Sequence, residues 1–135
     1  MHRGIQRYKS VQVKTSSPGD LLVMLYDGCF RFLNEAAVAM ENKDRARAGE
    51  RLDRAYAILS EFVSTLKPDI WPELCDNLEG VYVFCMGHIV KANIDQDPDL
   101  VREIIQILKP LRDGFREAVR QVKTGESPTE QSTGT

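Results

Sequence analysis

Hydrophobic residues recur along most of this chain at alternating spacings of three and four, which places them on one face of an α-helix. Short polar connections separate four such segments. The pattern predicts helices over residues 18–41, 45–66, 72–93 and 98–122. No stretch alternates hydrophobic and polar residues over the length of a convincing β-strand, so the sequence predicts an all-helical chain.

Residues at the predicted helix starts are suited to bonding the free backbone N–H groups found there. Ser17 can cap the first helix, Pro18 fits its first position, and Asp20 completes a capping-box pattern three residues after the cap. Asp44 and Asp97 stand at the same place before the second and fourth helices. These signals place the boundaries independently of the hydrophobic spacing.

Two of the predicted helices carry more hydrophobic surface than one core-facing stripe requires, which is about three positions in seven. Residues 21–26 of the first helix are all apolar, and the third has no charge between Glu79 and Lys91. Such a helix is either buried on most sides or exposes a patch that binds a partner. Both interpretations stay open at this point.

Four amphipathic helices with short connections predict an antiparallel up-down four-helix bundle. The bundle domain should cover residues 17–123, between a flexible N-terminal arm at 1–16 and a disordered tail at 124–135. Pro110 interrupts the fourth helix. The hydrophobic spacing continues in register beyond it, so we expect a kink there rather than an end.

Composition narrows the classes of function. The chain has 135 residues, enough for one domain, and is 42% hydrophobic and 28% charged. A net charge of -2 argues against nucleic acid as a partner, and no apolar run is long enough to span a bilayer. No secretory signal is expected, and Cys29, Cys75 and Cys85 lack a CxxC spacing. We therefore expect reduced thiols in a cytosolic protein.

Residues for catalysis or metal binding are not evident. The chain has no Glu-x-x-His pair, no glycine-rich phosphate loop and no nucleophile beside a base, so neither an enzyme nor a cofactor is predicted. Cys85 and His88 are at most half of a metal site, and no metal is predicted. His88, Lys91 and Ala92 match the spacing of a histidine phosphotransfer bundle, which stays as an alternative function.

The N-terminal arm carries four basic residues and no acidic one. Ile5 and Tyr8 lie one helical turn apart within it, where they could act together as apolar anchors. The arm is too short for a core of its own. It is either disordered or a docking segment, and the residues alone do not choose between these.

Short motifs occur in a characteristic order along most of the chain. They are Tyr8, Thr15-Ser16-Ser17-Pro18-Gly19-Asp20-Leu21, Met24-Leu25-Tyr26-Asp27-Gly28, Asn77-Leu78-Glu79 with Val81-Tyr82, Lys91-Ala92-Asn93-Ile94, Asp97-Pro98, and Leu111-Arg112-Asp113-Gly114-Phe115. With these motifs the chain resembles the flagellar export chaperone family (FliS), which guards flagellin in the cytoplasm before type III secretion. The resemblance covers about residues 8–118.

The resemblance implies the same helical bundle and a client, the C-terminal segment of flagellin, that wraps around it and lays apolar helices into surface grooves. The chaperone would prevent premature polymerisation and deliver flagellin to the export gate. The arm would cover part of the client surface and help to dock on the gate; a homo-oligomer stays open. We expect partner contacts at Ile5, Tyr8, Leu25, Tyr26, Tyr82, Phe84, Ile89 and Asn93.

The chain departs from the family pattern on the third and fourth helices. Val83-Phe84 and Gly87-His88 stand where the family commonly has an acidic-aromatic pair and two arginines, and Phe115 replaces a tryptophan. A divergent paralogue with a different client is therefore a second alternative.

Overall fold

Four α-helices make up the computed structural model, which describes residues 17–125. Their bounds are α1 Pro18–Glu41, α2 Arg45–Thr65, α3 Pro72–Asp95 and α4 Pro98–Thr124. The described range contains no strand, and the predicted all-α class is confirmed. The expected arm, with Ile5 and Tyr8, and residues 126–135 of the expected tail lie outside the described residues.

The helix starts follow the capping signals in the sequence. Ser17 Oγ accepts a hydrogen bond from the backbone N–H of Asp20 at 3.2 Å, and the Ser17 N–H donates to the Asp20 carboxylate at 3.3 Å. Asp44 and Asp97 each accept from the backbone N–H three residues later at 3.1 Å. Trp71 stands at the start of α3 without a side-chain cap. Local hydrogen bonds therefore fix three of the four starts.

The fourth helix is longer than the hydrophobic pattern predicted. It continues through Pro110, as expected, although the ring removes one backbone donor. The sequence placed Thr124 at the start of the tail. In the structure it is instead the last residue of the helix. Gly125 then adopts a φ of 80°, which costs glycine little, and its N–H donates to the carbonyl of Val122 at 3.3 Å.

Ion pairs at both ends of the bundle show that α1 and α4 run antiparallel. Arg102, near the start of α4, contacts Glu41 at the end of α1 at 2.9 Å. Lys123, near the end of α4, contacts Asp20 at the start of α1 at 2.8 Å. The helix α2 packs on α1 and α3, and α3 also packs on α4, so the four helices close a ring. This is the predicted up-down arrangement.

A cluster of four aromatic rings, one from each helix, forms one layer of the core. Tyr26 lies 4.6 Å from Phe62 and 5.8 Å from Phe115, and Phe62 lies 5.4 Å from Tyr82, measured between ring centroids. Burial of a large apolar side chain contributes about 1.5–3 kcal/mol, so this layer ties all four helices together. Fully buried residues in the rest of the core include Leu33, Leu52, Leu59, Ile104 and Leu108.

Candidate functional site

The helix α3 has one buried face and one exposed apolar face. Its buried residues are Leu78, Tyr82, Cys85, Ile89 and Ala92. The opposite side presents residues that we call the α3 outer face: Gly80, Val83, Gly87, Val90 and Ile94. At 100° per residue these five positions fall within about 80° of arc. They form a continuous stripe along the helix.

The outer face is apolar and open to solvent. Val83 is 52% exposed, Val90 50% and Ile94 69%, and the neighbouring Phe84 is 53% exposed. No residue from Gly80 to Val90 carries a charge, a stretch of about 16 Å at 1.5 Å per residue. A contiguous apolar patch of this kind typically marks an interaction surface. The exposed apolar stripe is suited to binding a partner and not to catalysing a reaction.

Acidic and paired residues border the stripe at its two ends. Asp76 and Glu79 precede it, and the structure gives neither carboxylate an ion-pair partner among residues 17–125. At the other end Lys91 contacts Asp95 at 3.6 Å. The surface of α3 is thus acidic before the stripe and uncharged along it. Beyond the stripe it is neutral, because the charges of Lys91 and Asp95 are paired.

Tyr26 and Tyr82, two of the expected partner contacts, lie in the aromatic layer of the core. Tyr26 is 0% and Tyr82 2% exposed, and their hydroxyls are hydrogen-bonded to each other. Burial raises the pKa of both phenols above the ordinary value, because the charged form would lose its water. In this structure neither side chain offers surface to a partner, so their role in binding stays a prediction that would require the bundle to open.

The other expected contacts are distributed between core and surface. Leu25 and Ile89 are buried, whereas Phe84 borders the α3 outer face. Asn93 is half-buried near the end of α3, where its carbonyl oxygen accepts from Gln96 Nε2 at 2.8 Å. Of the predicted contacts that fall within residues 17–125, only Phe84 is exposed beside the α3 outer face. Their contacts with a partner stay predictions.

His88 is partly buried and packs against an aromatic ring. The centroids of His88 and Phe84 are 4.2 Å apart. Lys91, which would neutralise a phosphoryl group in a phosphotransfer site, contacts Asp95 instead. The surroundings of His88 are those of a packed side chain.

The three cysteines form no disulfide. Burial raises the pKa of the Cys85 thiol to about 11 and raises that of Cys29 as well. Cys75 is half-buried. The part of the chain that the structure describes holds no cluster of three or more His, Cys, Asp or Glu residues suited to a metal ion.

Two open grooves follow the contact between α1 and α4. One, of about 520 Å³, has Val23, Met24 and Val119 among its lining residues. The other, of about 590 Å³, has Phe30 and Ile105 among its lining residues. Charged side chains also line both grooves, including arginines that are paired to acidic residues. Neither groove has the long uncharged surface of α3.

Comparison with known proteins assigns the bundle to a family. The model of the family "Flagellar protein FliS" matches residues 1–122. The chain belongs to the FliS family. It is 34% identical to the flagellar secretion chaperone FliS of Bacillus subtilis (strain 168) over 113 residues, 84% of each chain. It is 32% identical to that of Campylobacter jejuni over 110 residues, 82% of this chain and 86% of that one.

A solved structure supports the same assignment. A crystal structure described as a flagellar chaperone from bacteria superposes on this FliS chain with a TM-score of 0.72 at 25% identity, over 89% of this chain and 98% of that one. The family predicted from the motifs is confirmed. FliS proteins are chaperones and not enzymes, and a flagellar export chaperone has a flagellar protein as its client. Among the described residues, no helix is apolar and long enough to cross a membrane.

Most of the surface that the fold exposes on α3 lies outside the predicted set of partner contacts. The uncharged stretch of the third helix and its excess apolar residues are evident in the sequence, but Phe84 is the one exposed residue of α3 in that set. Val83, Val90 and Ile94 were absent from the predicted set. A second series of three-four spacings, offset from the buried one, was the signal available in the sequence.

Proposed function

We propose that this protein binds the C-terminal segment of flagellin in the cytosol, prevents its premature polymerisation and delivers it to the export gate. The α3 outer face is the first contact surface for that segment. The observation that carries the proposal is an exposed uncharged stripe of about 16 Å on a member of a chaperone family.

The size of the stripe indicates how the client must bind. Val83, Phe84, Val90 and Ile94 are each at least half exposed, so complete burial would contribute about 1 kcal/mol apiece. A micromolar complex requires about 8 kcal/mol after the cost of association is met. The stripe alone provides about half of that amount. The client therefore makes further contacts elsewhere on the bundle, which is the wrapping mode expected from the resemblance.

Isothermal titration calorimetry with a flagellin C-terminal segment tests this function. We expect binding at micromolar concentration or tighter, with a negative heat-capacity change, because apolar surface is buried as the segment orders. Val83→Asp should weaken binding by about tenfold or more, since it places a charge in the apolar contact. A native protein that showed no heat of binding at micromolar concentration would contradict the proposal.

Val38→Asp is the matched control for position. Val38 is 51% exposed on α1, nearly the same as the 52% of Val83. The two variants change solubility and surface charge equally, so only the location differs. Equal losses of affinity in both would show that the α3 outer face contributes no more to binding than another exposed apolar position of the bundle, and would contradict its role as the first contact surface.

The N-terminal arm is proposed to dock the loaded chaperone on the export gate through Ile5 and Tyr8. Deletion of residues 1–9 should leave the bundle folded and client affinity unchanged or modestly raised, since a docked arm lowers apparent affinity by the fraction of molecules it blocks. Export should be impaired in a secretion assay. A truncated protein that bound client at least tenfold more weakly would show that the arm belongs to the client site instead.

A different flagellar client is the second candidate, because of the departures at Val83-Phe84 and Gly87-His88. Titration with a panel of segments from other flagellar proteins distinguishes it. Tighter binding of one of those segments than of flagellin would favour this candidate.

A further inference from the structure

Two glycines of the α3 outer face make no packing contact within residues 17–125 that would require glycine. Gly80 and Gly87 lie inside the helix, are exposed, and do not have the positive φ that would require glycine. Apart from its chain neighbours and the backbone of its own helix, a Cβ atom built on either one would meet no atom of residues 17–125 within 4 Å. Alanine at both positions would fit and would favour the helix more strongly. The isolated fold therefore gives no reason for glycine here.

The positions of the glycines follow the pattern of a helix-packing seam. The steps from Gly80 through Val83, Gly87 and Val90 to Ile94 are three, four, three and four. The buried face of α3 has the same alternation, and there it packs against neighbouring helices. A three-four alternation is the repeat by which two helices pack side by side. The outer face is thus patterned for one additional helix.

We propose that Gly80 and Gly87 are the positions at which a helix of the client approaches the α3 backbone closely. This inference rests on the proposed chaperone function and specifies how the client is bound. The two glycines are seven residues apart, about 10.5 Å along the axis, so large apolar side chains two turns apart on the client helix would lie over them. Glycine leaves the space for these side chains, as it does wherever backbones come close.

The charges next to the stripe define the client helix further. Asp76 and Glu79 lie on the same side of α3, just before Gly80, without an ion-pair partner among residues 17–125. A bound helix would bring its own residues over these two carboxylates. The client helix should therefore be uncharged over the stripe and carry lysine or arginine at the end that covers Asp76 and Glu79.

Replacement of both glycines by alanine tests the inference because stability and binding should change in opposite directions. Gly80→Ala and Gly87→Ala should each raise the melting temperature by roughly 2–5 °C, since helix propensity improves. The double variant should bind a flagellin C-terminal segment at least about tenfold more weakly by calorimetry, because two methyl groups fill the close contact.

Gly114→Ala is the matched control. Gly114 is exposed inside α4, and beyond its own helix a Cβ built there likewise meets nothing within 4 Å in the described part of the chain. This variant should raise the melting temperature by a similar amount and leave client affinity unchanged. An equal loss of affinity in the control would overturn the assignment to α3.

The outcomes separate this inference from the proposed function. Binding by the native protein with full affinity retained in the double variant would overturn the glycine contact and leave the chaperone function standing. Absence of binding by the native protein would overturn both. Circular dichroism should show a gain of helix in the complex, and binding without that gain would contradict a helical client. Sedimentation tests whether the outer face pairs two copies of this chain. If the native protein and the control variant formed a dimer, the double variant did not, and client affinity was unchanged, the α3 outer face would bind a second copy and the inference would be wrong.

Discussion

The hydrogen bond between the two buried tyrosines provides a quantitative test of the core. Tyr26 and Tyr82 come from α1 and α3, which lie diagonally across the ring of helices. Each hydroxyl is the partner of the other, and the structure shows no further partner for either within residues 17–125. Replacement of one tyrosine by phenylalanine therefore leaves the remaining hydroxyl buried and unsatisfied.

The expected energies differ for single and double variants. An unsatisfied buried hydroxyl costs about 1–3 kcal/mol, so Tyr26→Phe and Tyr82→Phe should each lower the free energy of unfolding by that amount. The double variant removes both polar groups and keeps both rings, with their contacts at 4.6 and 5.4 Å to Phe62. Its loss should be no larger than that of one single variant, because replacing both partners is close to neutral.

Urea denaturation followed by circular dichroism at 222 nm measures these free energies. The four proteins form a double-mutant cycle, and we expect a coupling energy of about 1 kcal/mol or more between the two positions. An unchanged m-value would show that the variants alter stability and not the extent of unfolding.

Additive effects would refute this reasoning. If the double variant lost the sum of the two single losses, the hydroxyls would not depend on each other and each would have another partner. A single variant as stable as the native protein would show that water reaches the remaining hydroxyl.

Three further predictions concern the helices and thiols. Pro110→Ala should raise the free energy of unfolding by about 2 kcal/mol in the same urea assay, because α4 regains a backbone hydrogen bond at an exposed position. The greater flexibility of the unfolded chain without proline offsets part of this gain in stability. Iodoacetamide at pH 8 should label Cys75 before Cys29 and Cys85, as read by peptide mass spectrometry, and labelling of all three at one rate would contradict their burial. Stability should begin to fall as the pH rises past about 9, the ordinary pKa of a thiol, and should continue to fall toward pH 11, because the unfolded chain ionises thiols and phenols that folding keeps neutral. A urea midpoint that rose over this range would contradict the raised pKa values of Cys85 and Tyr26.

The four helices and their order could be predicted from the residues of the chain without the structure. Hydrophobic spacing and local capping residues such as Ser17 and Asp97 placed the four helix starts at the observed residues, because both signals depend on neighbours within one or two turns. The continuation of α4 through Pro110 and the family also followed from the sequence. The helix α4 ends at Thr124 and not at the predicted Val122, because the cap at Gly125, rather than the last hydrophobic position, sets its end.

Which apolar residues of α3 are exposed depends on how the four helices pack against one another. Helix α3 carries two three-four series, one with Tyr82 and Ile89 and one with Val83 and Val90, and spacing does not show whether the second is buried or exposed. The contacts of α3 with α2 and α4 cover the first series and leave the second exposed. Tyr26 likewise became a core residue only through Phe62, Tyr82 and the rest of the aromatic layer. The orientation of a helix about its own axis is set by residues distant in sequence, and that orientation determines the candidate site.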